Sequence, residues 1–167
     1  MLTIRPATPS DVPQILTYIR ELALYERELD AVLATEADLL RDGFGPTPRF
    51  TCVIAEVDDQ PAGFALYFTS YSTWLGHHGI RLEDLYVTPA RRGQGIGTAL
   101  LAHLARVAVE QGCPRLEWDV LTWNAPAIAV YEAIGATTQE EWRIMRLSGD
   151  ALQRLAGTAL PFHSAEV

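Results

Sequence analysis

A chain of 167 residues, 49% hydrophobic and 20% charged, is long enough to bury one sizeable core and too apolar to remain disordered. Its net charge of −8 argues against general nucleic-acid binding, which relies on Lys and Arg to neutralise phosphates, and either attracts cationic partners such as amines or merely aids solubility. The apolar stretches are short and interrupted, so neither a transmembrane helix nor membrane association is expected. Met1 to Pro6 has no charged region followed by a long apolar run and reads as a first strand rather than a signal peptide. Cys52 and Cys113 form no CxxC pair, and two partly buried thiols fit a reduced, cytoplasmic setting.

In chain order, Thr8-Pro9-Ser10-Asp11 supplies an N-cap, an early proline and a first-turn acid. Ile15, Ile19, Leu22 and Ala23 then recur at helical spacing and predict an amphipathic helix to about Tyr25. Thr35-Glu36-Ala37-Asp38 caps a short helix that is expected to stop at Gly43. Three β-rich runs follow, Phe50 to Val57, Ala62 to Tyr71 and Gly79 to Val87, the first two joined by the polar turn Asp58-Asp59-Gln60-Pro61. Ile96, Leu100, Leu104 and Val107 mark a helix ended by Gln111-Gly112. Leu116 to Leu121 predicts a strand, Asn124 a helix cap with Pro126 in the first turn and Gly135 as the stop. A last strand near Arg143 to Leu147 and a short helix near Asp150 to Leu155 complete a domain spanning 1–157, with a tail at 158–167. The order predicts an α/β fold with a mixed, largely antiparallel sheet and helices on both faces.

Chemistry concentrates at Arg91-Arg92-Gly93-Gln94-Gly95-Ile96-Gly97. Cations are unfavourable at a helix N-terminus unless an anion sits among them, and glycines let a phosphate approach the free N–H groups of the first turn. The run is either such a cradle or a tight strand-to-helix connection. Its spacing is neither that of a P-loop nor that of a dinucleotide-binding turn.

Arg92-Gly93-Gln94-Gly95-Ile96-Gly97 resembles the R/Q-x-x-G-x-G/A pyrophosphate motif of the GNAT superfamily of N-acetyltransferases. Ile4-Arg5-Pro6-Ala7-Thr8, Glu21-Leu22-Ala23 with Tyr25-Glu26, Asp38-Leu39-Leu40 with Asp42-Gly43-Phe44-Gly45, and Leu82-Glu83-Asp84 resemble its diamine (spermidine/spermine) and thialysine acetyltransferase subfamily. So do Trp123-Asn124 with Pro126, Tyr131, Gly135-Ala136 and Trp142-Arg143, and the similarity covers roughly residues 3–155. The resemblance implies acetyl-CoA as co-substrate, no metal, a small cationic amine as acceptor and a homodimer. A lysine-like amino acid as acceptor, or an acyl-CoA sensor without turnover, are the alternatives.

The resemblance also assigns roles. Glu83 matches the general base, acting through water, and Asp84 an amine-binding carboxylate. On a regular strand these two, otherwise a solvated pair of acids, face opposite sides, and a bulge could bring both into one cleft. Tyr131, otherwise a packing residue, matches the acid that protonates the leaving thiolate; a phenol with pKa near 10 keeps its proton at neutral pH. The backbone at Leu85 and Val87 corresponds to the edge that takes the pantetheine arm as an added strand. Asn124 matches a position near that arm. Glu26, Glu141 and Trp142 match positions lining the amine site, although the segment between Tyr131 and Trp142 is shorter than the subfamily pattern and leaves Glu140 or Glu141 as its acid. His77-His78 has no third ligand, no nucleophile elbow occurs, and Trp74, Trp118 and Trp123 read as core or interface aromatics.

Overall fold

The computed structural model describes residues 1–158; apart from its first residue, the tail expected at 158–167 lies outside them. Two compact units are distinguished, Met1–Val130 and a second from Tyr131 onward.

The first unit holds the sheet. Strands β1 (Leu2–Pro6), β2 (Thr51–Val57), β3 (Gln60–Ser72) and β4 (His77–Val87) pair antiparallel in sequence order, and β5 (Leu116–Glu117) joins β4 in parallel. The β2–β3 hairpin closes on two residues, Asp58 and Asp59, at φ 52 and 60°; Gln60 and Pro61, expected in the turn, already belong to β3. Two left-handed residues give this turn the twist of the strands it joins, and aspartate tolerates that conformation.

Consecutive β2 residues Cys52, Val53, Ile54 and Ala55 are all buried, so both faces of the sheet are covered. Helix α1 (Val12–Tyr25) packs Val12, Ile15, Leu16 and Tyr18 against Cys52, Ile54, Phe64, Leu66 and Tyr86 on one face. Helix α2 (Glu36–Phe44) adds Leu39 to the same core; it runs through Gly43 and is capped at Gly45. On the other face, α3 (Ile96–Glu110) contributes Ala108, which clusters with Cys113 and Ile80. Both cysteines are free and buried.

Two strand expectations need correction. β5 is only Leu116–Glu117 rather than Leu116 to Leu121: it meets β4 at Ile80 and Arg81, and a bulge two residues further on carries β4 away. Arg143 to Leu147 forms no strand, and its Ile144 and Met145 stand exposed at 68% and 89%. A β-pattern without a neighbouring strand to pair with makes no ladder. The second unit comprises the end of α4 (Ala125–Ala133), this extended stretch and α5 (Gly149–Ala156).

Candidate active site

The turn between β4 and α3 is shaped by its glycines. Pro89 to Arg91 form a single 3₁₀ turn, after which Gly93 and Gly95 adopt φ 74 and 79°, a region that costs any other residue backbone strain. A Cβ added at either would meet nothing within 4 Å among the described residues, so their open side can take a ligand. Gly97 is also open, its nearest neighbour being Val87 Cγ2 at 3.9 Å. Gln94 and Arg92 tie the loop back: Gln94 Nε2 donates to the Ala90 carbonyl at 3.3 Å and Arg92 Nε to the Val87 carbonyl at 3.0 Å. Ile96 is buried beneath the turn and anchors it.

Glu83 lies at a bulge. Leu66 pairs with Asp84 and Tyr67 with Leu82, which leaves Glu83 without a residue opposite. The consequence runs along the strand. Ile80 packs with Ala108 on the α3 face, whereas Tyr86, an even number of residues further on, packs with α1 on the other. A regular strand would put both on one face. The bulge thereby turns Asp84 toward the C-terminus of α1, where Glu26 sits. Asp84 is half-buried, and its carboxyl is pushed up to about 6, first by desolvation and then by the charges of Glu83 and Glu26. Burial also lifts Glu26 above the usual carboxylate range. Like charges gathered beside a helix C-terminus repel one another and the dipole, an arrangement that a bound cation relieves.

Past the β5 ladder, no described strand pairs with the Leu85–Val87 edge of β4, so its backbone is open to an extended ligand. Above it lies an aromatic and guanidinium cluster. The Arg92 guanidinium stands over Tyr25 at 5.0 Å and Tyr86 at 5.6 Å from the ring centroids. Tyr25 packs on Trp123 at 5.8 Å, and its hydroxyl donates to Asn124 Oδ1 at 3.0 Å. Asn124 caps α4 through its backbone carbonyl, which accepts from Ala127 and Ile128 N–H, while its side chain is held by Tyr25 rather than by the helix. Arg27 stands over Trp123 at 5.1 Å. Trp123 and Trp74 are not core residues, being 45% and 87% exposed.

Glu26, Glu83 and Asp84 are thus brought together, with Leu85, Val87, Asn124 and the turn from Arg92 to Gly97 on the same unit. Tyr131, Glu141 and Trp142 belong to the second unit. Tyr131 is half-buried on α4, and its carbonyl accepts from Ala136 N–H at 3.0 Å beyond Gly135. Glu141 and Trp142 follow a turn in which Trp142 N–H donates to the Gln139 carbonyl at 3.2 Å. Reading the sequence missed the roles of Arg27, Trp123 and Tyr86 in the cluster. The one available signal was an arginine where a helix stop would take glycine. Among the described residues, no helix is long and apolar enough to cross a membrane, and no His, Cys, Asp and Glu group could hold a metal ion.

Open left-handed glycines at a helix N-terminus, a mutually repelling carboxylate cluster and an unpaired strand edge thus lie on one unit, an arrangement with the chemistry to take an anion and a cation. Comparison with known proteins gives the chain its family. Residues 16–136 match the description "Acetyltransferase (GNAT) family". The thialysine N-epsilon-acetyltransferase of Bos taurus is 44% identical over 92% of this chain and 96% of its own length. The spermidine/spermine N(1)-acetyltransferase-like protein 1 of Homo sapiens is 42% identical over 92% of this chain and 23% of its own. An integron cassette protein from the mobile metagenome of V. cholerae superposes with a TM-score of 0.78 at 27% identity, covering 94% of this chain and 98% of its own. The chain belongs to the acetyltransferase (GNAT) family. It is an enzyme, and acetyltransferases of this family use acetyl-CoA as co-substrate. The residues present fit that group: open left-handed glycines at a helix N-terminus suit its pyrophosphate, and a free strand edge suits its pantetheine arm.

Proposed function

We propose that this enzyme acetylates a primary amine of a small cationic substrate by direct attack, without a covalent acyl-enzyme. The observation that carries the reading is Asp84, half-buried and repelled by Glu83 and Glu26, on the same strand that leads into the glycine turn. An ammonium offsets that repulsion, and the same carboxylates can then take its proton.

In this reading Glu26 and Asp84 hold the substrate's charge and Glu83 accepts the ammonium proton through water. The neutral nitrogen forms its bond to the thioester carbon, whose oxygen takes a backbone N–H of the Leu85–Val87 edge. The carbon–sulfur bond breaks, Tyr131 supplies a proton to the departing sulfur, and the proton shed by the acylated nitrogen restores the Tyr131 hydroxyl. Arg92 and the N–H groups from Gly93 to Gly97 hold pyrophosphate, and Asn124 lies beside the arm. Glu141 and Trp142 are assigned to the amine by the resemblance. No metal takes part. The enzyme works in the cytoplasm as a homodimer; light scattering in solution checks the latter, with a monomer mass as the contrary result.

The test is release of free thiol from acetyl-CoA with polyamines, diamines, basic amino acids and peptides as acceptors. Amine-dependent release supports the reading. Tight acetyl-CoA binding with no release on any amine would instead make the protein a sensor.

A further inference from the structure

Three helices of this chain end in one hydrogen-bonded motif, and one of them breaks its rule. In α3, Cys113 N–H donates to the Ala108 carbonyl at 2.8 Å and Gly112 N–H to Val109 at 3.1 Å, with Gly112 at φ 69°. The end of α4 repeats it, Ala136 to Tyr131 at 3.0 Å and Gly135 to Glu132 at 2.9 Å, with Gly135 at φ 90°. In α1, Glu28 N–H donates to Ala23 at 2.8 Å and Arg27 N–H to Leu24 at 3.1 Å, but the left-handed residue, φ 67°, is Arg27. The motif favours glycine there because a Cβ is strained. Arginine at that position points to a use for its side chain.

Among the described residues no salt bridge forms on Arg27, although the chain holds 21 acids against 13 Lys and Arg. Arg27 Cζ stands 5.1 Å from the Trp123 ring centroid, a contact that consumes no N–H donor, and a guanidinium offers its donors as a fork for two parallel bonds to a carboxylate. Its neighbour Glu26 faces the Asp84 cluster. Arg92, the other guanidinium of this cluster, donates Nε to the Val87 carbonyl at the glycine turn, where the reading above gives it to the pyrophosphate.

We propose that Arg27 recognises a substrate carboxylate, so that the enzyme selects a basic α-amino acid over a diamine or polyamine. This rests on the amine-acetylation reading. An amino-acid head group carries an ammonium and a carboxylate on one carbon, and Glu26 with Arg27 offers the complementary pair on adjacent residues. A diamine has nothing for the guanidinium and is repelled by it.

Steady-state rates with ornithine against putrescine, and lysine against cadaverine, isolate the carboxylate, because each pair differs only in it. The wild type should favour the amino acid, and Arg27→Gly, which keeps the helix stop, should lower the amino-acid-to-diamine ratio of kcat/KM by about tenfold or more through the amino-acid KM. Arg27→Lys should restore part of the ratio. An equal wild-type preference within each pair, an unchanged ratio in Arg27→Gly, or a loss confined to the acetyl-CoA KM would overturn the assignment while leaving amine acetylation intact. Absence of turnover with every member would sink both.

Discussion

Burial first, and then the charges of Glu83 and Glu26, together push the Asp84 carboxyl up to about 6. A group whose folded pKa exceeds its unfolded value binds its proton more tightly in the folded state. Between about pH 4 and 6 the folded chain therefore carries more protons, stability falls as pH rises, and the full penalty stands above about pH 6. Asp84→Asn removes that penalty. For a half-exposed group this is worth about 1 kcal/mol, or a rise of roughly 2–4 °C in Tm near pH 8, with no gain near pH 4. Thermal melts at both pH values check it, and an equal gain at each would point to packing rather than charge. Catalysis supplies a second residue-scale test at Tyr131. Tyr131→Phe keeps the ring and removes the proton, so kcat should fall about 10²-fold while acetyl-CoA affinity holds. An unchanged kcat takes Tyr131 out of its role.

The elements show how local rules are bent to build the site. The bulge at Glu83 places a carboxylate where alternation would have hidden it and ends the β5 ladder, so one inserted residue both gathers the acids and frees the edge. In the glycine turn, Gly95 separates strain from function. Gly95→Ala meets no neighbour among the described residues, so its cost in urea unfolding should be the backbone penalty alone, about 1 kcal/mol. A ligand lying against that open side would lose more, and acetyl-CoA affinity should fall about tenfold or more by calorimetric titration. Equal affinity would make the turn a mere connection. Asn124 shows the competing demands on one side chain: its backbone starts α4 while its amide holds Tyr25.

At the scale of the molecule, one ion network holds the sheet's first strand. Arg5 donates from both terminal nitrogens to the Asp11 carboxylate at 2.8 Å, and from Nε to Glu56 at 2.8 Å, joining β1, the turn before α1, and β2. Thr8 donates its N–H and its hydroxyl to the same Asp11 carboxylate. Hydrogen bonding to Arg5 holds the Asp11 carboxyl well below the usual range, outweighing its desolvation. Its sign is opposite to that of Asp84: the stability it contributes is complete above about pH 4 and falls away below. Arg5→Met strands two half-buried carboxylates and should cost about 2 kcal/mol in urea unfolding at neutral pH. A cost that does not shrink as pH falls below about 4, where the Arg5–Asp11 pair loses its contribution, would show that packing of the arginine stem is what matters.

What the sequence by itself determined is what short-range patterning controls. The α1 and α3 stripes, the three-strand meander, the capping acids Asp11 and Asp38 and the Gly95 to Ile96 junction follow from periodicity and turn chemistry within a few residues. Motif order carried the family. Only the tertiary structure decided the rest, because each part depends on a neighbour distant in sequence. The register against β3 creates the bulge that unites Glu83 with Asp84, and the divergence of β4 limits β5 to Leu116–Glu117. Missing strand neighbours keep Arg143 to Leu147 out of the ladder. The packing of Tyr25 on Trp123 sets Arg27 and Arg92 around one cluster. Local pattern chose the parts, and long-range register decided which charges meet.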